Sequence, residues 1–122
     1  MTENKQLVVV TTCDLDDENH SVAWSIANGG ISTGLDVTVF LMAAAVVCVR
    51  KGAADKVHLN PLDPTIGEMI ENLTSRGGKN LVCPPCAKVR GYAEGDLLDG
   101  LVITGSGAIH KLILEGAATL SF

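Results

Sequence analysis

The chain opens on an apolar, β-branched run, Leu7-Val8-Val9-Val10-Thr11-Thr12, which predicts a strand buried on both faces. Cys13 to Asp17 then reads as a loop rich in helix N-cap residues, and Glu18 to about Ile31 as a helix. Val22, Ala23, Ile26 and Ala27 form its apolar stripe, and Asn28-Gly29-Gly30 weakens its end. Val37 to Met42 predicts a second strand, and Ala43 to Lys51 a buried helix stopped by Gly52, although Val46 to Val49 would also suit a longer strand. Asp63-Pro64 reads as a helix start, with Asp as N-cap and Pro at the first helical position. Ile66, Met69, Ile70 and Leu73 follow at helical spacing, with Arg76 in the last turn and Gly77-Gly78 as terminator.

The remaining pattern is a strand ending at Val82, a short helix from the Cys83-Pro84-Pro85-Cys86 turn to Gly91, and an acidic connection from Tyr92 to Gly100. After it come a strand over Leu101 to Thr104, a helix over Ser106 to Glu115 and a last strand over Ala117 to Phe122. Strand and helix alternate about five times. This order predicts a single-domain α/β fold over residues 1–122, with three layers and a mainly parallel sheet of about five strands flanked by helices.

Composition sharpens that picture. In 122 residues, 47% are hydrophobic and only 3% aromatic, so the core must be built from small aliphatic side chains, as in a parallel sheet covered by helices. The net charge of −5 disfavours direct binding to nucleic acid, which needs a basic face. The longest apolar run, Val37 to Val49, is broken by Thr38 and too short to span a bilayer, and no basic start with an apolar stretch marks a signal peptide. The expected setting is cytoplasmic and away from the membrane. Four cysteines there point to redox, sulfur or metal chemistry more than to a disulfide framework.

The chemistry concentrates at Cys83-Pro84-Pro85-Cys86. Two thiols three residues apart at a strand-to-helix turn can form a disulfide, carry a persulfide or bind a metal, and a helix N-terminus favours the thiolate that each needs. With Cys83 as N-cap, the two prolines have no N–H and stiffen the turn, leaving the Cys86 amide as the early donor to the Cys83 sulfur. Arg90 stands four residues after Cys86 on the same helical face and could hold an anionic sulfur, and Lys88 is a second cation.

Ligands of open α/β sheets sit beyond the carboxyl ends of the strands. Cys13, the CPPC turn and Gly105-Ser106-Gly107 each follow a strand, so all three belong to that edge, the Gly-Ser-Gly turn as an anion cradle. One CxxC supplies half a zinc site, and Cys13 or His20 would have to complete it, so no metal or cofactor is expected. Cys48 reads as buried packing, His58 and His110 as surface residues, and Asp14, Asp16, Asp17 and Glu18 as caps. The Gly-Ser-Gly turn lacks the third glycine of a dinucleotide fingerprint, and no phosphate-loop or nucleophile-elbow motif is present.

The chain resembles the DsrE/DsrF-like family, which includes sulfur-relay proteins and predicted peroxiredoxin-like proteins. The likeness runs over nearly the whole chain, through the Leu7–Thr12 and Val37–Leu41 segments, and is sharpest in the spacing from Cys83 to Arg90-Gly91. The resemblance implies sulfur transfer through a persulfide on Cys83, with donor and acceptor proteins as partners and a homo-oligomer, commonly a trimer or hexamer. Cys86 departs from the relay pattern, where a small apolar residue is typical. A second thiol there could attack the persulfide, which makes Cys86 a resolving thiol and brings in a dithiol redox reading. An oligomeric module binding a metal or small ligand is the non-catalytic alternative. Asn80 stands where a peroxiredoxin-type site would carry threonine, which weakens a peroxide-reducing reading.

Overall fold

A computed structural model describes residues 5–122. Five strands, β1 (Gln6–Thr11), β2 (Asp36–Leu41), β3 (Lys79–Val82), β4 (Val102–Ile103) and β5 (Ala118–Ser121), form one sheet in the order β4-β3-β2-β1-β5. Every pairing is parallel: Leu7 sits opposite Val37 and Ala118, Phe40 opposite Leu81, and Leu81 opposite Val102. Among the described residues the α-helices are α1 (Glu18–Ser32), α2 (Ile66–Ser75), α3 (Pro84–Val89) and α4 (Gly107–Leu114). Among the described residues, no helix is long and apolar enough to cross a membrane.

The period-2 alternation of the strands divides the core between two faces. Leu7, Val9, Val37, Val39, Leu41 and Val82 pack under α1 and α2, together with Trp24, Ala27, Ile66 and Leu73. Val8, Phe40, Leu81 and Cys83 point the other way, against Ile109 of α4. The result is the predicted three-layer α/β architecture. One helix covers the second face, and Val102, Ile103 and Leu120 on the two edge strands stay partly exposed.

Three local expectations are corrected. The α2 N-cap is Thr65, not Asp63. Thr65 Oγ1 accepts from the Glu68 N–H at 3.1 Å, and Glu68 Oε1 accepts from the Thr65 N–H at 3.2 Å and its hydroxyl at 2.9 Å. This reciprocal box satisfies more donors than a lone Asp could, and it holds the Glu68 carboxyl below its usual range. The expected α-helix over Ala43 to Lys51 is a 3-10 segment, Ala43–Val49. Its β-branched Val46, Val47 and Val49 disfavour an α-helix, and the sharp exit from β2 places Ala43 at φ 50°. The buried stripe of α1 is also rotated from the predicted one. His20, Ala23, Trp24 and Ala27 are buried, whereas Val22 and Ile26 are only half-buried.

Candidate functional site

The carboxyl edge of the sheet is built by the turns that leave the strands. At β3 the chain hands over directly to α3: Cys83 is the N-cap, with φ −65° and ψ 120°, and Pro84 and Pro85 fill the first two helical positions. A proline at these positions costs no hydrogen bond, because the first N–H groups of a helix have no internal partner. The turn is tied to its neighbours by the Cys83 N–H, which donates to the Leu41 carbonyl at 3.0 Å, and by the Thr104 N–H, which donates to the Val82 carbonyl at 3.0 Å. Cys83 is therefore fixed between the ends of β2 and β4.

Both thiols of the turn are free. Cys86 Sγ donates to Cys83 Sγ at 3.0 Å. Cys83 is buried against Phe40, Leu81 and Ile109, and Cys86 is half-buried. Burial pushes the Cys83 thiol above its ordinary value of 9.0, and the Cys86 side chain adds to the rise while the Cys86 backbone N–H opposes it. The helix N-terminus thus does not by itself make Cys83 a resting thiolate. Desolvation wins because the prolines remove two of the N–H groups that would otherwise stabilise the anion.

Arg90 is the C-cap residue of α3, and its guanidinium Nη1 donates to the Cys86 carbonyl at 3.1 Å. It lies exposed beside the turn, as does Lys88. Because β4 pairs with β3, Gly105, Ser106 and Gly107 form the next turn along the edge, and α4 leads from them to the Ile109 that covers Cys83. Ser106 makes no side-chain cap to α4, and all three residues of the turn are exposed.

Cys13 lies on the same edge, but β2 and its exit stand between β1 and β3. Two strand spacings, roughly 10 Å, separate the ends from which Cys13 and Cys83 emerge. The Cys13 thiol is raised by burial and by Asp17. Its backbone is clamped by His20, a residue whose role the sequence reading missed. Trp24 Nε1, which can only donate, gives its hydrogen to His20 Nε2 at 3.0 Å. The imidazole proton therefore stands on Nδ1 and is donated to the Cys13 carbonyl at 2.8 Å. Both ring nitrogens are engaged, which leaves His20 no lone pair for a metal. The i, i+4 spacing of His20 and Trp24 was the available signal. Cys48 is buried in the core, where burial drives its thiol far up. His58 and His110 are exposed.

The curated proteins that this chain resembles are themselves described as uncharacterized. Among curated proteins, it is 29% identical over 110 residues to "Uncharacterized protein MJ0989" of Methanocaldococcus jannaschii, covering 89% of each chain. It is 28% identical over 107 residues to "Uncharacterized protein MJ0760" of the same organism; the match takes in 87% of this chain but only 38% of that longer protein. Among solved structures, the ychN protein from E. coli superposes with a TM-score of 0.79 at 23% identity, over 98% of this chain and all (100%) of that one. MTH1491 from Methanobacterium thermoautotrophicum does so with a TM-score of 0.76 at 18% identity, over the same 98% and 100%. At these identities the structural likeness speaks for the fold. The family model reaches further: residues 4–122 match it, and the chain belongs to the DsrE/DsrF-like family.

Proposed function

We propose that the CPPC turn performs sulfur transfer, with Cys83 as the carrier of a persulfide and Cys86 as its resolving thiol. The family is associated with sulfur relay. The observation that carries the reading is the pair of free sulfurs held 3.0 Å apart on a proline-stiffened turn at the ligand-facing edge of the sheet. In the loading step, the Cys83 thiolate attacks the terminal sulfur of a donor protein's persulfide. A Cys83 S–S bond forms, the donor's S–S bond breaks and the donor leaves as a thiolate. In the release step, that terminal sulfur passes to an acceptor's thiolate, which restores the Cys83 thiol. Where no acceptor is engaged, Cys86 attacks the Cys83 sulfur, expelling hydrosulfide and leaving a disulfide that a two-electron thiol reductant must reopen.

Cys83 is covered and its thiol raised, so a donor must uncover it or bring a positive charge. Arg90 supplies that charge in this reading, by leaving the Cys86 carbonyl for the anionic sulfur. Ser106 and Gly107 complete the anion side of the site, and Cys13 is an outlying thiol along the same edge. Partly exposed Val102, Ile103 and Leu120 on the edge strands favour a homo-oligomer, a trimer or hexamer, and a reducing cytoplasmic setting suits two unpaired thiols. A second reading, a dithiol redox couple, rests on the same short separation of the sulfurs.

Intact-mass spectrometry of non-reduced protein after exposure to a sulfur donor tests both. A gain of about 32 Da that persists in Cys86→Ser and vanishes in Cys83→Ser is expected. A loss of about 2 Da without any adduct establishes the redox couple instead. Loading retained by Cys83→Ser but lost in Cys86→Ser overturns the assignment of the carrier.

A further inference from the structure

The face of β3 opposite Cys83 walls a cavity of about 420 Å³, apart from the CPPC turn. It lies between α2, the chain leaving the 3-10 segment and the approach to β4, with Ile70, Leu98 and Leu101 as apolar wall. Asn80 of β3 stands in the same wall and is only 3% exposed. Its orientation follows from its neighbours. The Thr74 hydroxyl donates its one hydrogen to the Ile70 carbonyl at 2.8 Å. Thr74 Oγ1 can then only accept, and it does so from Asn80 Nδ2 at 3.1 Å. The carbonyl end of Asn80 is left buried and without a partner. An amide oxygen only accepts, so a partner for it must donate a hydrogen.

The charges around the cavity say what kind of donor. Asp55, Glu71 and Asp99 line it against the single cation Arg50. Among the described residues, none of these four has an ion-pair partner or a side-chain hydrogen bond. Three carboxylates less one guanidinium leave a formal charge of −2 around the opening. Yet no three acidic, histidine or cysteine groups among the described residues stand close enough together to hold a metal ion. Negative charge spread over a rim, a buried acceptor and an apolar wall fit an organic cation better than a bare one.

We propose that this cavity binds a short aliphatic primary ammonium compound, whose N–H meets Asn80 Oδ1 while its carbon chain lies on Ile70, Leu98 and Leu101. The site is independent of the CPPC turn. Asn80 reaches back to α2, whereas Cys83 packs towards α4.

The test is an NMR titration of the intact protein with n-butylammonium chloride, butyramide and sodium butyrate at matched ionic strength. The Asn80 side-chain amide and the Ile70 and Leu101 methyls are followed. Saturable shifts with butylammonium are expected, with both other probes about tenfold weaker or worse, a difference of about 1.4 kcal/mol. Asn80→Leu should abolish the shifts. Because a buried substitution can unsettle the fold, the exposed pair Glu71→Gln and Asp99→Asn is the second arm, and it should weaken butylammonium about tenfold. No saturable shift with butylammonium, equal binding of butyrate or butyramide, or unchanged affinity in the double variant overturns the proposal.

Discussion

Changing His20 to glutamine should remove an acid-dependent loss of stability. His20 is fully buried, accepts from the Trp24 indole at Nε2 and donates to the Cys13 carbonyl from Nδ1. A second proton would have to sit on Nε2, facing the indole N–H, so the two donors would oppose each other in an apolar setting. Burial accordingly holds the imidazole below its ordinary 6.5, while the Cys13 carbonyl, Asp14 and Asp17 pull weakly the other way. The sign follows from linkage. The unfolded chain takes up a proton near pH 6.5 and the native state resists until lower pH, so native stability is complete above that value and falls as pH drops below it. One pH unit below, the loss reaches up to about 1.4 kcal/mol. Urea denaturation at fixed protein concentration, repeated from about pH 7.5 down to 5.5, reads it. Glutamine does not titrate, so His20→Gln should start lower, by about 1–3 kcal/mol for the disturbed bonds, and then decline less steeply than wild type. Parallel declines of the two proteins would refute the reasoning, because the acid response would then belong to other groups.

Three further outcomes follow from the local geometry. Thr65→Ala should destabilise by about 1 kcal/mol in the same urea assay, and Asp63→Ala by much less, since the capping box belongs to Thr65 and Glu68; equal losses would return the helix start to Asp63. The rate of Cys83 alkylation by iodoacetamide should keep rising with pH beyond 9.0, because burial raises that thiol; a plateau near neutrality would show a resting thiolate instead. Cys48 should resist the same reagent in the native protein and react only in denaturant, whereas half-buried Cys13 and Cys86 react without it; native labelling of Cys48 would contradict its place in the core.

The strand-helix order was legible because each strand is a short β-branched run between turn residues. Leu7 to Thr12 and Val37 to Met42 fall within a residue of β1 and β2. The CPPC turn was legible to the residue, since two successive prolines after a strand admit few backbone paths. The start of α2 was misplaced because Asp63-Pro64 carries a strong local signal, and the Thr65–Glu68 box competes with it only once both side chains fold back. The α1 stripe was misread because His20 and Ser21 look polar, yet their hydrogen bonds allow burial, while Val22 and Ile26 sit at the margin. The distance between Cys13 and Cys83 could not be read at all. It depends on β2 lying between β1 and β3, and lateral strand order is a property of the whole sheet.

That lateral order also sets a schedule for folding. β1 is made before the other strands of the sheet, yet one of its two flanks is closed by β5, with Leu7 opposite Ala118 and Val10 opposite Ser121. As the chain leaves the ribosome, β2 and then β3 can dock while the other flank of β1 stays open until β5, the last strand of the sheet, has emerged. A bare, strongly apolar strand edge is a template for pairing with other chains. Closing it requires a contact of very high sequence separation, which slows folding. Sequence changes in α4 or β5, far along the chain, would then show themselves first as aggregation of nascent protein through β1.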